Sequence, residues 1–270
     1  MVAARLANFF GPKAKPRHAM PEGTRVYAVL DVHGCLEELN RLLDAIDDDL
    51  SQSDVQSHLI FLGDLVDRGP QSAGVIQRII ESELPTHGWD CLMGNHEEVM
   101  LDCYEGRRET FDLWLRYGGV QTLESYGLRT ADILGPDFDV VAAMQAAIPA
   151  KHIQFLNSLK DYVRLGDYLF VHAGIRPGVP PDEQSSRDLR WIRTGFLDDA
   201  SDHGLMVVHG HTIVPEVEFR KNRIAVDTGC YLTGQLSALV LESDTTRVLT
   251  ARQWNSGTAH CADAQKNGHP

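Results

Sequence analysis

The segment GDLVDRGP (Gly63–Pro70) places two aspartates and an arginine between glycines, and it organises the interpretation of the whole chain. Four other short motifs surround it: DVHG (Asp31–Gly34), GNHE (Gly94–Glu97), HAG (His172–Gly174) and HGHT (His209–Thr212). Each motif alone is short enough to arise by chance, but their order and roughly even spacing are not. We therefore expect one site, assembled from five parts of the chain.

The first three motifs each follow a short apolar run. Arg25–Asp31, Leu59–Leu62 and Trp89–Met93 are predicted strands, because their apolar residues are bounded by turn-forming residues. Helices are predicted over Cys35–Asp47, where leucines recur at helical spacing, and near Ser72–Ser82. Open α/β sheets build their sites at the carboxyl ends of strands, so the three motifs are expected to converge.

The second half of the chain has a different pattern. Glu109–Leu159 is predicted to be mostly helical, with breaks at glycines and a new helix opened by Pro149. Short strands then follow, beginning with a hairpin around Gly166-Asp167. The predicted strands are Tyr162–Leu165, Tyr168–His172, Met206–His209, Val217–Phe219, Arg223–Val226, Gln235–Leu241 and Arg247–Ala251.

The motifs supply ligands of the types that a pair of divalent metal ions requires. Carboxylate and imidazole groups suit manganese, iron and zinc, and an asparagine oxygen adds a ligand without adding charge. Two metals about 3.5–4 Å apart also need a bridging carboxylate. The candidate ligands are Asp31, His33, Asp64, Asn95, His172 and His211.

Taken together, the motifs resemble those of the phosphoprotein phosphatase family, within the calcineurin-like metallophosphoesterase superfamily, and especially its bacterial and phage-lambda-like members. The resemblance covers most of the chain, from Val26 to Thr250. It implies an α/β fold with four layers, αββα, in which two mixed β-sheets are flanked by helices. It also implies two divalent metal ions, with manganese favoured and iron or zinc as alternatives. Asp31 and His33 would bind the first metal, Asp64 would bridge, and the other three ligands would bind the second.

The same resemblance implies the catalytic roles. His96 would be the general acid, oriented by Asp67, and Arg68 would clamp the substrate phosphate. A second phosphate-binding arginine is expected after the fourth motif, where Arg193 fits best and Arg190 is the alternative. A hydroxide activated by the two metals would attack phosphorus in line with the leaving oxygen.

Several of these residues also have plain structural interpretations. Asp64 and Asn95 could cap the helices that follow them, and Glu98 could complete a capping box with Asn95. Arg68 could form a surface ion pair with Asp67, although its planar fork suits bidentate phosphate binding better. An aromatic and glycine cluster at Trp114–Gly119 could line a substrate groove, but packing and turns are the commoner use of such residues.

His209 and His211 pose a separate choice. Two residues apart on a strand, both could face the metals. Many broader metallophosphoesterases have Gly-His-x-His, with both histidines binding metal, but position 213 here is Ile213. This departure favours His211 as the metal ligand. His209 would then either support the ligands from behind or pack in the core.

Composition limits the remaining possibilities. The 25 basic and 38 acidic residues give a net charge of −13, which argues against a nucleic-acid-binding surface. The sequence contains no run of apolar residues long enough to span a membrane. Five scattered cysteines favour a reduced, cytoplasmic protein over a disulfide scaffold, and they lack metal-ligand spacing: Cys35, Cys91, Cys103, Cys230 and Cys261. One catalytic domain over residues 21–254 is predicted, between a basic tail (1–20) and a polar tail (255–270); the oligomeric state is left open.

The resemblance points first to a serine/threonine phosphoprotein phosphatase, because Asp67 and Glu97 match protein phosphatases. The alternative is a symmetrical dinucleoside tetraphosphate hydrolase or a broad-specificity phosphoesterase of the same fold. Such tetraphosphate hydrolases typically have alanine and aspartate at these two positions. A binding module without catalysis is a further alternative, although no predicted ligand is missing. The substrate is thus expected to be a phosphoprotein or a small phosphoester.

Overall fold

The computed structural model describes residues 18–252 except 53, 82, 84, 85 and 137, and for residue 108 only the backbone. Most of the two predicted tails therefore lies outside the described residues. The strands are β1 (Thr24–Val29), β2 (Gln56–Phe61), β3 (Gly88–Cys91), β4 (Tyr162–Leu165), β5 (Tyr168–Val171), β6 (Met206–His209), β7 (Glu218–Phe219), β8 (Arg223–Ala225), β9 (Gln235–Glu242) and β10 (Thr245–Arg252).

Helices fill the connections between these strands. They are α1 (Leu36–Leu50), α2 (Ser72–Ile80), α3 (Asn95–Tyr104), α4 (Phe111–Trp114), α5 (Val120–Ser125), α6 (Thr130–Ile133), α7 (Val140–Ala147), α8 (Ala150–Asn157), α9 (Ser186–Trp191) and α10 (Cys230–Thr233). No helix in the described ranges is long and apolar enough to cross a membrane.

The strands form two mixed sheets, in the orders β10-β9-β1-β2-β3 and β4-β5-β6-β8-β7. In the first sheet β1, β2 and β3 are parallel, with Thr24 opposite Gln56, while β9 and β10 are antiparallel additions. In the second sheet β5, β6 and β8 are parallel, and β4 and β7 lie antiparallel at the two edges. Each sheet therefore has three parallel strands whose carboxyl ends lie at one edge.

Alternating residues of β1 show how the layers pack. Val26 and Ala28 lie in the apolar core between the two sheets, together with Phe170 and Val208 of the second sheet. Tyr27 and Val29 point to the opposite face, as the two-residue period of a strand requires. There they meet the leucines of α1 in a second core.

A third core covers the outer face of the second sheet. It joins Leu169 and Val207 to Leu189 of α9 and to Phe196. The order helix, sheet, sheet, helix confirms the predicted αββα fold.

Element boundaries differ from the predictions by a few residues. β3 ends at Cys91 rather than Met93, because Met93 leaves the sheet to bond with the carbonyl of Lys160. The predicted break at Gly118 is a kink inside a π-helical turn, Leu115–Gly119, where Gly118 has φ of 112°. That conformation favours glycine over any residue with a side chain.

Candidate metal centre

Each of the predicted metal ligands follows the carboxyl end of a parallel strand by a few residues. One of them, His172, comes directly after its strand. β1, β2 and β3 lead into the loops of the first three motifs, and β5 and β6 lead into the last two. The two sheets thus deliver their motifs to one shared edge, as expected for an α/β ligand site. The six residues are Asp31, His33, Asp64, Asn95, His172 and His211, and each is at most 8% exposed.

Asp64 lies between two groups of histidines. Its Oδ2 is 3.6 Å from Nε2 of His33 and 3.9 Å from Nε2 of His96. Its Oδ1 is 3.4 Å from Nε2 of His172. Nitrogen and oxygen atoms of Asp64, His172 and His211 all lie within 4.8 Å of one another, and so do those of His33, Asp64 and His96. Asp64 therefore has the position of a group shared by two sites.

The remaining ring nitrogens of two histidines are held by backbone carbonyls. Nδ1 of His33 is 2.8 Å from the carbonyl oxygen of Val66, and Nδ1 of His172 is 2.9 Å from that of Leu62. Such contacts fix ring orientation and present Nε2 toward the centre. Nε2 of His172 is also 3.0 Å from Oδ1 of Asn95.

Two buried atoms at the centre lack hydrogen-bond partners within the described residues, Oδ1 of Asp31 and Nε2 of His211. Burial and the charges of Asp227 and Asp64 raise the pKa of Asp31 well above its usual range. Burial and His172 lower the pKa of His211 to about 3. Buried polar atoms without partners are costly, whereas a cation would satisfy both. The donor set and these free atoms fit divalent metal ions.

Backbone strain is concentrated in the same loops. In the described part of the chain, six non-glycine residues have positive φ, and five of them belong to the motifs. The five are His33, Asp64, Asp67, Arg68 and His211. Each such conformation costs about 1–3 kcal/mol and persists only where surrounding contacts enforce it. The strain therefore indicates loops held in place for a function.

Asp67 and His96 form a buried pair beside Asp64. Nδ1 of His96 is 2.6 Å from Oδ2 of Asp67. The same carboxylate accepts hydrogen bonds from the indole Nε1 of Trp114 at 2.8 Å and from the hydroxyl of Thr122 at 2.6 Å. Burial lowers the pKa of His96, but Asp64 and Asp67 outweigh it and raise that pKa above its usual value. The carboxylate of Asp67 thus fixes the orientation of the imidazole.

The comparisons with known proteins agree with this geometry. The sequence profile of calcineurin-like phosphoesterases matches residues 24–235, which include every motif. This chain belongs to the calcineurin-like phosphoesterase family. A relative from Anoxybacillus flavithermus, named bis(5'-nucleosyl)-tetraphosphatase [asymmetrical], is 27% identical over 79% of this chain and 89% of its own.

Two further matches, one in sequence and one in structure, are also with proteins described as tetraphosphatases. A protein from Methylococcus capsulatus, named bis(5'-nucleosyl)-tetraphosphatase, symmetrical, is 28% identical over 80% of this chain and 91% of its own. A crystal structure provisionally described as a diadenosine tetraphosphatase superposes with a TM-score of 0.58, at 23% identity, over 86% of this chain and 94% of the other. The structural match supports the fold alone.

Glu97 organises the loops of this phosphoesterase without facing its centre. Its carboxylate is fully buried and accepts hydrogen bonds from four backbone amides, those of Asp64, Leu65, Val66 and Gly94, at 2.7–3.2 Å. Burial and Asp64 raise its pKa to about 7. Sequence reasoning missed this role, because motif spacing does not show which amides a side chain reaches.

Gly94 must be glycine for the same two loops to meet. A Cβ atom on Gly94 would lie 2.2 Å from Oδ1 of Asp64 and 2.6 Å from Oε2 of Glu97. These distances are far inside van der Waals contact. The glycine of the GNHE motif therefore allows the phosphoesterase loops after β2 and β3 to touch.

Arg68 is directed into the centre of the phosphoesterase site. Its Nη1 is 2.9 Å from Nε2 of His33, and its Nη2 is 3.0 Å from Nε2 of His96. The ring of Tyr231 supports the guanidinium, with 4.6 Å between the guanidinium carbon and the ring centroid. The amide of Arg68 also donates to the carbonyl of Gly118 at 3.3 Å. The alternative considered from the sequence, a surface ion pair with Asp67, does not form among these contacts.

The two candidate arginines after the fourth motif differ in their contacts. Arg190 donates to Asp161 at 2.6 Å and to Glu98 at 2.8 Å, so its guanidinium is already paired. Arg193 is exposed, and its Nη2 donates to the carbonyl of His211 at 3.1 Å. Arg193 thus lies next to a candidate metal ligand of this phosphoesterase and keeps donor groups for an anion.

His209, Trp114 and Asp227 each have well-defined surroundings. The fully buried ring of His209 packs edge-on against Phe196, with 5.1 Å between ring centroids, and burial lowers its pKa to about 4. Trp114 is buried and bonded to Asp67, so it does not line a groove. Asp227 lies beside Asp31, and burial raises the pKa of Asp227 too.

Proposed function

We propose that this chain is a metal-dependent dinucleoside tetraphosphate hydrolase. One combined observation carries the proposal. Arg68 is directed between His33 and His96 in a centre that fits divalent metal ions, and the two relatives described above are named as tetraphosphatases. One of these two relatives is named as an asymmetrical and the other as a symmetrical tetraphosphatase. The products will decide which bond of the tetraphosphate is hydrolysed.

Each residue has a proposed part in the reaction. The six candidate ligands would hold two divalent metals, manganese being preferred, which supply Lewis-acid charge and lower the pKa of water. Arg68 and Arg193 would bind phosphate oxygens, because an arginine fork matches their geometry. His96 would donate its Nε2 proton to the departing phosphate oxygen, a step worth about 10²–10⁴-fold. Asp67 would hold that imidazole in the donating orientation.

The sequence-based argument for a phosphoprotein substrate rested on Asp67 and Glu97. Both side chains are fully buried, and both are saturated by partners inside the protein. Neither can touch a substrate, so neither distinguishes a phosphopeptide from a dinucleotide. The proposal consequently follows the relatives and places the phosphoprotein activity second.

The test compares two substrates at one enzyme concentration. The protein is stripped with a chelator, reloaded with Mn²⁺, and given diadenosine tetraphosphate or a phosphothreonine peptide, with Asp64→Asn as the inactive control. Faster hydrolysis of the dinucleotide is expected. Formation of ADP alone would identify symmetrical cleavage, whereas ATP with AMP would identify asymmetrical cleavage. A clear preference for the peptide would overturn the proposal in favour of a phosphoprotein phosphatase.

A further inference from the structure

Two thiols and a carboxylate meet at the amino-terminal end of α1. Cys35 precedes α1, Glu38 lies in its first turn, and Cys230 is the first residue of α10. The two Sγ atoms and a carboxylate oxygen all lie within 4.8 Å of one another. Among the described residues, the other groups that meet this limit are the two around Asp64. The three groups therefore lie as close together as the ligand groups of the metal centre.

Glu38 is the unusual member of the cluster. It is 7% exposed, and within the described ranges its carboxylate accepts no hydrogen bond; its ion-pair contact, to Nη1 of Arg41, is 3.9 Å long. An acid in the first turn of a helix is favoured by the helix dipole, but usually where water also reaches it. The carboxylate oxygens of Glu38 keep slight contact with solvent, since they are not among the buried atoms of the described residues that lack hydrogen-bond partners. A cation held with the two sulfurs would give this weakly paired carboxylate a strong partner.

The ligand types select the metal. Thiolates are soft ligands that prefer zinc, whereas the catalytic centre has only oxygen and nitrogen ligands. In a tetrahedral zinc site with Zn–S bonds of ~2.3 Å, ligand atoms are about 3.8 Å apart, so an adjustment of roughly 1 Å suffices. Cys35 is only partly buried, which gives an ion access to the site and leaves room for water as a fourth ligand.

We propose that Cys35, Glu38 and Cys230 form a separate structural site for a zinc ion. On binding, each thiol releases its proton to solvent as its sulfur forms the metal bond. Such an ion would join the DVHG loop to α10, where Tyr231 packs edge-on against His33 at 5.2 Å between ring centroids. Tyr231 also supports Arg68. The bound zinc ion would thereby hold Tyr231 in place beneath the guanidinium of Arg68.

Cobalt spectroscopy tests the proposal without reference to any substrate. The full-length protein is stripped of metal, kept reduced with a phosphine, and titrated with Co²⁺. Because the catalytic ligands include no sulfur, a near-ultraviolet thiolate-to-cobalt charge-transfer band would report this cluster. We expect the band in the wild type and in Cys103→Ser, the matched buried-thiol control, and its loss in Cys35→Ser/Cys230→Ser.

A second variant keeps the proposal testable if the double mutant does not fold. Glu38→Gln keeps both thiols and should weaken the cobalt affinity of the thiolate site by ~10-fold or more. Elemental analysis of zinc-loaded protein should show about one fewer ion per chain in the double variant. Absence of the band in the wild type, or an unchanged band in the double variant, would overturn the proposal. Neither result depends on hydrolysis, so failure here is separable from failure of the proposed function.

Discussion

The Nδ1 atom of His96 lies 2.6 Å from Oδ2 of Asp67, while Trp114 and Thr122 bond to the same carboxylate. This arrangement leaves Nε2 of His96 as the ring nitrogen that faces the metal centre. The carboxylate cannot reach substrate through its buried partners. We therefore expect Asp67 to act as a positioning residue, through His96.

Replacing Asp67 by asparagine should lower kcat by about 10²–10⁴-fold with little change in KM, because the imidazole loses its orientation but phosphate binding does not. Steady-state kinetics of Asp67→Asn, His96→Ala and the double variant would measure this. If both residues serve one proton transfer, as proposed, the double variant should be no slower than His96→Ala. Fully additive losses would refute the positioning role.

Glu97→Asp tests whether this position selects the substrate. The shorter side chain should lose some of the four amide hydrogen bonds and weaken metal binding by roughly 10–100-fold, as expected for groups that orient ligands. Activity toward a dinucleotide and a phosphopeptide should fall by the same factor. A changed ratio of kcat/KM for the two substrates would mean that Glu97 does influence specificity.

Arg193 and Arg190 form a matched pair for testing phosphate binding. Arg193→Lys should raise KM by roughly 10-fold, because lysine cannot form the bidentate contact. Arg190→Lys should leave KM unchanged and lower the free energy of unfolding by about 1–2 kcal/mol, since it breaks the contacts to Asp161 and Glu98. Kinetics and urea denaturation of both variants would check this. A larger KM effect in Arg190→Lys would reverse the assignment.

Tyr117 is 57% exposed and directly precedes Gly118, whose carbonyl accepts the amide of Arg68. An exposed ring beside the proposed phosphate-binding arginine can stack on a base. Tyr117→Ala should therefore raise KM for diadenosine tetraphosphate several-fold, an effect of about 1 kcal/mol, without affecting p-nitrophenyl phosphate. Leu134→Ala, which removes another exposed side chain, is the control. Equal effects on both substrates would exclude base stacking.

Asp49 offers a test of stability away from the site. It accepts hydrogen bonds from Arg25 at 3.0 Å, from Arg247 at 2.5 Å and from Tyr27. Burial raises its pKa, but Arg247 and Tyr27 outweigh this and lower it below the usual value. The stabilisation is therefore present above the unfolded pKa and lost as pH falls through the folded one.

For Asp49→Asn we expect a loss of about 1 kcal/mol in the free energy of unfolding near pH 7. The difference from the wild type should shrink below about pH 4, where the carboxylate of the unfolded chain is protonated. Urea denaturation across this range would measure it. A difference that is constant with pH would show that the charge of Asp49 does not contribute.

The sequence allowed the first three strands and the convergence of the motifs that follow them to be predicted. Apolar runs before Asp31, Asp64 and Asn95 indicated strands, and parallel strands place their carboxyl ends together. The packing of the two sheets against each other could not be derived from these patterns, and its prediction came from the family resemblance. The argument for a phosphoprotein substrate from positions 67 and 97 loses its force, because both side chains are buried and residue type alone does not reveal burial.

By itself, the sequence determined which residues could carry the chemistry, because ligand types and strand-end positions are local properties of the chain. Only the tertiary structure decided what those residues touch. The contacts of Glu97 with the loop after β2, of Trp114 with Asp67 and of Arg190 with Asp161 each join distant segments. So does the meeting of Cys35 and Cys230, which have no metal-ligand spacing in the sequence. Such pairs are set by how sheets and helices pack, and spacing along the chain does not contain that information.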